Sequence, residues 1–250
     1  MWLNRFELKP GKWAYEPTEK TRATGLEIIA QIKKKWKLPT YYCHLQSGGH
    51  VQALNLHLHN KYFACLDIHD FFNSISRTRV TRTLKEYFNY NLARNIAKIS
   101  TVKHQSEFKH SHCLPYGFPQ SPILASICLY KSTLGIKLQK YHLNEYITVS
   151  VYMDDIIISS NNENFLTSCF NDLKTSATRS NFRLNSTKEF PPSKSVIVFN
   201  VELSHQHLLI TESRLELFLV DYQSTSNNHK QEGILSYVNS INPIQTLSFN

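Results

Sequence analysis

The sequence lacks any apolar stretch approaching the ~20 residues that a membrane-spanning helix requires. Its most apolar window, Ile147 to Ile158, is interrupted by Asp154 and Asp155. The opening residues, Met1-Trp2-Leu3-Asn4-Arg5-Phe6, hold no apolar run of the signal-peptide kind. These absences predict a cytoplasmic protein with no membrane partner. The five cysteines (43, 65, 113, 128 and 169) form no Cys-x-x-Cys pair, so neither a zinc site nor a disulfide framework is indicated. Cys65 and Cys128 stand within apolar runs and read as small core residues. The 12 histidines are equally scattered and suggest no metal site. Internal repeats and low-complexity linkers are absent too. Acidic residues are outnumbered, 19 against 28 lysines and arginines, for a formal charge of +9. Such a surplus favours a polyanionic partner, either nucleic acid or an anionic membrane surface, with nucleic acid favoured about two to one. What is present is an ordinary globular balance over 250 residues, 41% hydrophobic and 19% charged, enough for a substantial core.

Residues 1–20, with Pro10 and Pro17, predict an irregular or partly helical arm. Leu26, Ile28, Ile29, Ile32 and Trp36 recur at helical spacing over 21–38. Ser47-Gly48-Gly49-His50 reads as a turn, followed by a short helix over 51–59. Tyr62 to Ile68 is a nearly continuous apolar run, as in a strand covered on both faces. One helix is predicted over 78–100 and another over 121–138, opened by Pro122. Residues 146–160 are β-branched on both sides of Tyr152-Met153-Asp154-Asp155, a hairpin with an acidic tip. A helix over 164–181, strands over 194–203 and 207–211, and a last helix over 230–241 complete an α+β pattern.

Asp67 ends the apolar strand, and Asp154 and Asp155 occupy the hairpin tip. A carboxylate beside apolar strands is costly unless paired or bound to a metal. Three converging carboxylates repel unless divalent cations neutralise them. Hard oxygen ligands suit Mg²⁺, and two such ions can activate a 3′-hydroxyl and stabilise a leaving pyrophosphate. Taken singly, an Asp-Asp dipeptide reads as a solvated turn and Asp67 as a helix cap. The combination carries the signal.

Tyr152-Met153-Asp154-Asp155 resembles the Tyr-x-Asp-Asp hairpin of reverse transcriptases. Leu66-Asp67-Ile68-His69-Asp70-Phe71-Phe72-Asn73-Ser74-Ile75 resembles their first palm motif in its bacterial wording. Leu114-Pro115-Tyr116-Gly117-Phe118-Pro119-Gln120-Ser121-Pro122 is similar to the family's Leu-Pro-Gln-Gly-x-x-x-Ser-Pro segment. Phe182-Arg183-Leu184-Asn185-Ser186-Thr187-Lys188 is similar to its Asn-x-x-Lys motif. Gly233 to Pro243 resembles the start of a retron thumb. The motifs come in family order and cover about 60–243. The wording is nearest to retron and defence-associated (unknown-group and abortive-infection) enzymes.

The resemblance implies a right-hand polymerase palm with an antiparallel sheet, packed helices, reduced fingers and a short thumb. The implied division is 1–60 for the arm and fingers, 61–212 for the palm and 213–250 for the thumb. It implies an RNA-directed DNA polymerase in antiphage defence. Asp67, Asp154 and Asp155 would be metal ligands, helped by the Ile68 carbonyl. The ions would be two Mg²⁺, with Mn²⁺ as a substitute. Lys188 would meet the pyrophosphate. Phe72 would crowd a ribose 2′-hydroxyl, and Tyr116, Gly117 and Gln120 would line the nucleotide site. The partners would be dNTPs, a dedicated structured RNA template, the DNA product and a partner protein or oligomer. Two departures stand out. Tyr116 replaces the usual glutamine, losing an amide's paired donor and acceptor. Gln120 stands where many relatives carry threonine. The basic finger pattern is also missing, with Lys61, Arg77 and Arg79 only near in sequence. Untemplated or protein-primed synthesis, and a non-catalytic RNA-binding assembly subunit, are the rival readings.

Overall fold

The computed structural model describes residues 1–103 and 110–249. The N-terminal arm is a β-hairpin, β1 (Trp2–Lys9) and β2 (Lys12–Pro17), which corrects the irregular or helical expectation. Its turn is Pro10-Gly11, with Gly11 at φ +78°, a turn dipeptide that alone marks the reversal. Helix α1 (Glu19–Lys35) follows, its N-cap Thr18 accepting from the Thr21 amide. Next come α2 (Gly49–Asn55) and the central strand β3 (Tyr62–Asp67).

The helix expected over 78–100 is two, α3 (Arg77–Leu84) and α4 (Tyr90–Ile99). Asn89 separates them by capping the Leu92 amide. Two short strands, β4 (Val102–Lys103) and β5 (His112–Cys113), precede α5 (Ser121–Tyr130) and α6 (Thr133–His142). The expected single helix over 121–138 is broken because Ser132 caps Gly135. Strands β6 (Thr148–Tyr152) and β7 (Asp155–Ser160) form the anticipated hairpin, and α7 (Glu163–Arg179) leads to β8 (Phe190–Ser193). The apolar run at 194–203 is itself a hairpin, β9 (Ser195–Val198) and β10 (Val201–Ser204), joined to β11 (His207–Ile210). Helices α8 (Glu212–Ser224) and α9 (Asn228–Ile241) follow, and a short 3₁₀ segment over Pro243–Phe249 comes after them. Helix α8 is not among the elements expected from the sequence; Leu215, Phe218 and Tyr222 pack on the core at helical spacing.

The main sheet has the order β6-β7-β3-β8 and is antiparallel throughout. Alternation along β3 explains its apolar run. Ala64 and Leu66 pack into the helical core with α1 and α3–α7, while Phe63 and Cys65 pack with Leu54, β9–β11 and α9. Both faces are therefore covered, and the polar end of β3 is where the sheet opens.

A polar network lies inside the second core. His57 is fully buried, with Nδ1 2.6 Å from Ser159 Oγ and Nε2 2.8 Å from Ser150 Oγ. Burial pushes its pKa down to about 3. The unfolded chain takes this proton near the ordinary histidine value of ~6.5, and the folded chain does not. The contribution is present above that value and is lost as pH falls through it. Between pH 7 and pH 5 it amounts to about 2 kcal/mol. Denaturant melts at the two pH values should show that loss, and His57→Gln should flatten it. An unchanged slope in the variant would rule the network out as the cause.

Candidate active site

Asp67 ends β3 and Asp155 begins β7, and the two face each other directly across the ladder. Asp154 lies in the two-residue turn between Tyr152 and Asp155. The Ile68 amide donates to the Asp154 carbonyl at 2.9 Å, extending the ladder past the last strand pair. On the other side of Asp67, the Asn185 amide donates to the Asp67 carbonyl and the His69 amide to the Arg183 carbonyl. The segment before Lys188 is thereby laid along the end of β3. That brings Lys188 Nζ to 2.8 Å from Asp67 Oδ2.

Electrostatics follow from this crowding. Asp67 is only 4% exposed, and Lys188 supplies the countercharge such burial requires. The hydrogen bond to Asp67 holds the Lys188 pKa above the ordinary lysine value. Burial, then the charges of Asp154 and Asp67, pushes Asp155 up to about 7. Burial is also the main cause of the raised Asp154, with Asp67 adding to it. Both carboxyl groups are held toward the protonated form, by burial first and by the neighbouring carboxylates second. Among the described residues no three His, Cys, Asp or Glu side chains already form a metal-binding cluster. The donor set is nonetheless hard oxygen on adjoining strand ends, and the surplus charge suits a divalent cation.

Beside the carboxylates lies an aromatic wall. The rings of Phe72 and Tyr116 meet edge to face at 4.8 Å, and Phe72 also stacks on Phe71. The N-terminal hairpin clasps this wall, with the Tyr15 amide donating to the Tyr116 carbonyl at 2.9 Å. Gly117 at φ +97° lets the strands meet so closely that a Cβ would lie 2.2 Å from the Tyr15 carbonyl oxygen. Burial is the largest cause of the raised Tyr116 pKa, and Asp154, Asp70 and Asp67 add to it, so this phenol shares the carboxylates' field.

Lys12 is one residue that sequence reasoning does not reach. Its Nζ lies 4.4 Å from the centre of the Tyr116 ring, and its charge favours ionised Asp154. The Pro10-Gly11 turn could have shown that this lysine starts a returning strand. Lys61, Arg77 and Arg79 are not brought to the site. Lys61 precedes the end of β3 opposite Asp67, Arg77 donates to Thr101, and Arg79 lies over Phe182 and donates to the Ser180 carbonyl. Gln120 is also set apart. It is 1% exposed, donates to Ser100 Oγ at 3.2 Å and abuts Gly25 of α1.

The sheet, the carboxylates at its open end and the helices behind it define a polymerase palm. The sequence matches the family profile described as "Reverse transcriptase (RNA-dependent DNA polymerase)" over residues 17–191. The chain belongs to the reverse transcriptase family. Domains of this family generally use divalent metal ions. No curated protein matches the chain in sequence. In structure it is similar to a foamy viral protease-reverse transcriptase solved with double-stranded DNA. That match has 14% identity and a TM-score of 0.53, covering 95% of this chain and 37% of that one. It is also similar to telomerase from Candida albicans, solved with a fragment of telomeric RNA. There the identity is 9% and the TM-score 0.55, with 92% of this chain and 48% of that one covered. The chain thus spans less than half the length of either structure. No helix among the described residues is long and apolar enough to cross a membrane.

Proposed function

We propose that this chain copies RNA into DNA, adding deoxynucleotides to a 3′-hydroxyl with two Mg²⁺ ions. The observation that carries the reading is Asp67 facing Asp155 in register, with Asp154 tied to Ile68 and Lys188 on Asp67. Asp67, Asp154, Asp155 and the Ile68 carbonyl would hold the ions, which when bound activate the 3′-hydroxyl and stabilise the leaving pyrophosphate. Lys188, its side chain 58% exposed, can turn from Asp67 to the departing phosphate as countercharge or proton donor. Phe72 crowds the 2′ position of the sugar. Tyr116 and Gly117 line the base, where Tyr116 offers a ring face and one hydroxyl.

Lys12 supplies the positive charge for the triphosphate that the sequence motifs did not reveal. Lys12→Ala should raise the half-saturating dNTP concentration about tenfold, the worth of one charge-assisted contact. The maximal rate should change little. Steady-state kinetics beside Lys61→Ala, expected to be neutral, check the assignment.

The wider reading is a retron or defence-type bacterial enzyme with a dedicated structured RNA template and a partner protein. Its parts are arm and reduced fingers over 1–60, palm over 61–212 and a short thumb over 213–250. Radiolabelled dNTP incorporation by the purified protein with its co-purifying RNA tests the activity, with the product sequenced. Incorporation should require Mg²⁺ or Mn²⁺ and disappear in Asp154→Ala, Asp155→Ala. A homopolymer or random product would indicate untemplated synthesis, and label fixed to the protein would indicate protein priming. No incorporation at all would overturn the polymerase reading in favour of an assembly subunit.

A further inference from the structure

Met153, at the tip of the β6–β7 hairpin, has φ +58°. It is the first of the two turn residues, a place where positive φ favours glycine. A side chain is held there only when its surroundings enforce the conformation. The enforcing contact comes from far away in sequence. The Met153 amide donates to His44 Nδ1 at 3.0 Å, and His44 Nε2 lies 2.7 Å from Ser126 Oγ. The Ser126 hydroxyl donates to the Pro122 carbonyl at 2.8 Å.

One proton assignment satisfies all three bonds. Nδ1 is the bare acceptor, Nε2–H donates to Ser126, and the serine proton goes to Pro122. The Val151 carbonyl, 3.5 Å from Nδ1, then takes no hydrogen from His44. Burial pushes the His44 pKa down to about 4, which keeps the ring neutral. A second bond holds the same segment to the hairpin, from the Val151 amide to the Tyr41 carbonyl at 2.7 Å. Ser126 and Pro122 belong to α5, which starts directly after the Tyr116–Gln120 segment. The turn bearing Asp154 is therefore pinned to the helix that follows the nucleotide-lining residues.

We infer that His44 is a positioning residue: its unprotonated Nδ1 fixes the Met153 turn so that Asp154 and Asp155 stand beside Asp67. The inference rests on the polymerase reading for its catalytic consequence, and on the hairpin geometry alone for the hold itself. Its test therefore uses two readouts on the full chain. One is hydrogen exchange at the Met153 amide, and the other is single-turnover dNTP incorporation over a range of dNTP. The variants are His44→Leu, which removes the acceptor, and His44→Asn, whose Oδ1 replaces Nδ1. A third, His44→Leu with Met153→Gly, accepts positive φ without help.

His44→Leu should speed Met153 exchange at least ~10-fold and lower the maximal rate ~30-fold, with half-saturating dNTP within ~3-fold of wild type. His44→Asn and the double variant should recover most of the rate. Unchanged exchange and rate in His44→Leu would overturn the inference. So would an equal rate loss in all three variants, the mark of a general packing role. Should His44→Leu fail to fold, His44→Asn decides alone: retained protection and rate support the role, and their loss overturns it. If the wild type incorporates nothing, the polymerase reading falls, and Met153 exchange alone decides whether His44 holds the turn.

Discussion

Replacing Asp155 with asparagine should give a more stable protein that has lost its activity. In the metal-free chain Asp155 is pushed up to about 7 by burial and by Asp154 and Asp67. A carboxyl group raised in the folded state makes ionisation costly, so stability falls as pH rises from the unfolded value near 4 through about 7. A shift of this size corresponds to ~4 kcal/mol, which solvent at the half-open site reduces to ~2 kcal/mol. Asp155→Asn should therefore raise the melting temperature at pH 8 by roughly 4–8 °C and by almost nothing at pH 4. Saturating Mg²⁺ should narrow the difference, because the cation stabilises the wild type through the same charge. Incorporation should fall at least ~10²-fold. Calorimetry at both pH values, with and without Mg²⁺, checks this. Equal melting at pH 8 would show that ionisation of Asp155 costs the folded chain nothing.

Gly117→Ala should disable nucleotide binding from outside the carboxylate cluster. The added Cβ meets the Tyr15 carbonyl oxygen at 2.2 Å, and the backbone sits at φ +97°. Positive φ alone costs an alanine ~1–2 kcal/mol. The clash must in addition push β2 away from Tyr116, breaking the Tyr15–Tyr116 hydrogen bond. Lys12 leaves the Tyr116 ring with the hairpin, so half-saturating dNTP should rise ~10-fold or more. Adding Lys12→Ala should then cost little further, since both changes remove one contact. Gly49 is the control: it also has positive φ, but a Cβ there meets nothing within 4 Å. Gly49→Ala should leave nucleotide kinetics unchanged. Additive effects of Gly117→Ala and Lys12→Ala would sink the idea that the hairpin delivers the lysine.

Much of the palm was legible from local pattern. The unbroken apolar run of β3 is what a strand covered on both faces needs, and both cores do cover it. The β-branched residues around Asp154 and Asp155 specified a hairpin, and its tip is where expected. Helix breaks at Asn89 and Ser132 were less visible. A capping side chain competes with an apolar periodicity that continues past it.

The residues that escaped are those whose place depends on distant backbone. Lys12 lies more than a hundred residues before Asp154, and only the docking of β2 on Tyr116 brings them together. His44 has no local mark of function, because its role comes from the Met153 amide and Ser126. Gln120 fell within a nucleotide-site motif, yet the close approach of Gly25 turns its side chain toward α1 and Ser100. By itself the sequence determined the strand, the acidic hairpin and the order of the motifs, because hydrophobic periodicity and turn chemistry act over a few residues. Tertiary structure alone decided which cation faces the nucleotide side, which histidine holds the turn and how far the carboxylates are in conflict. Those outcomes arise from hydrogen bonds and fields between segments that meet only when the chain has folded.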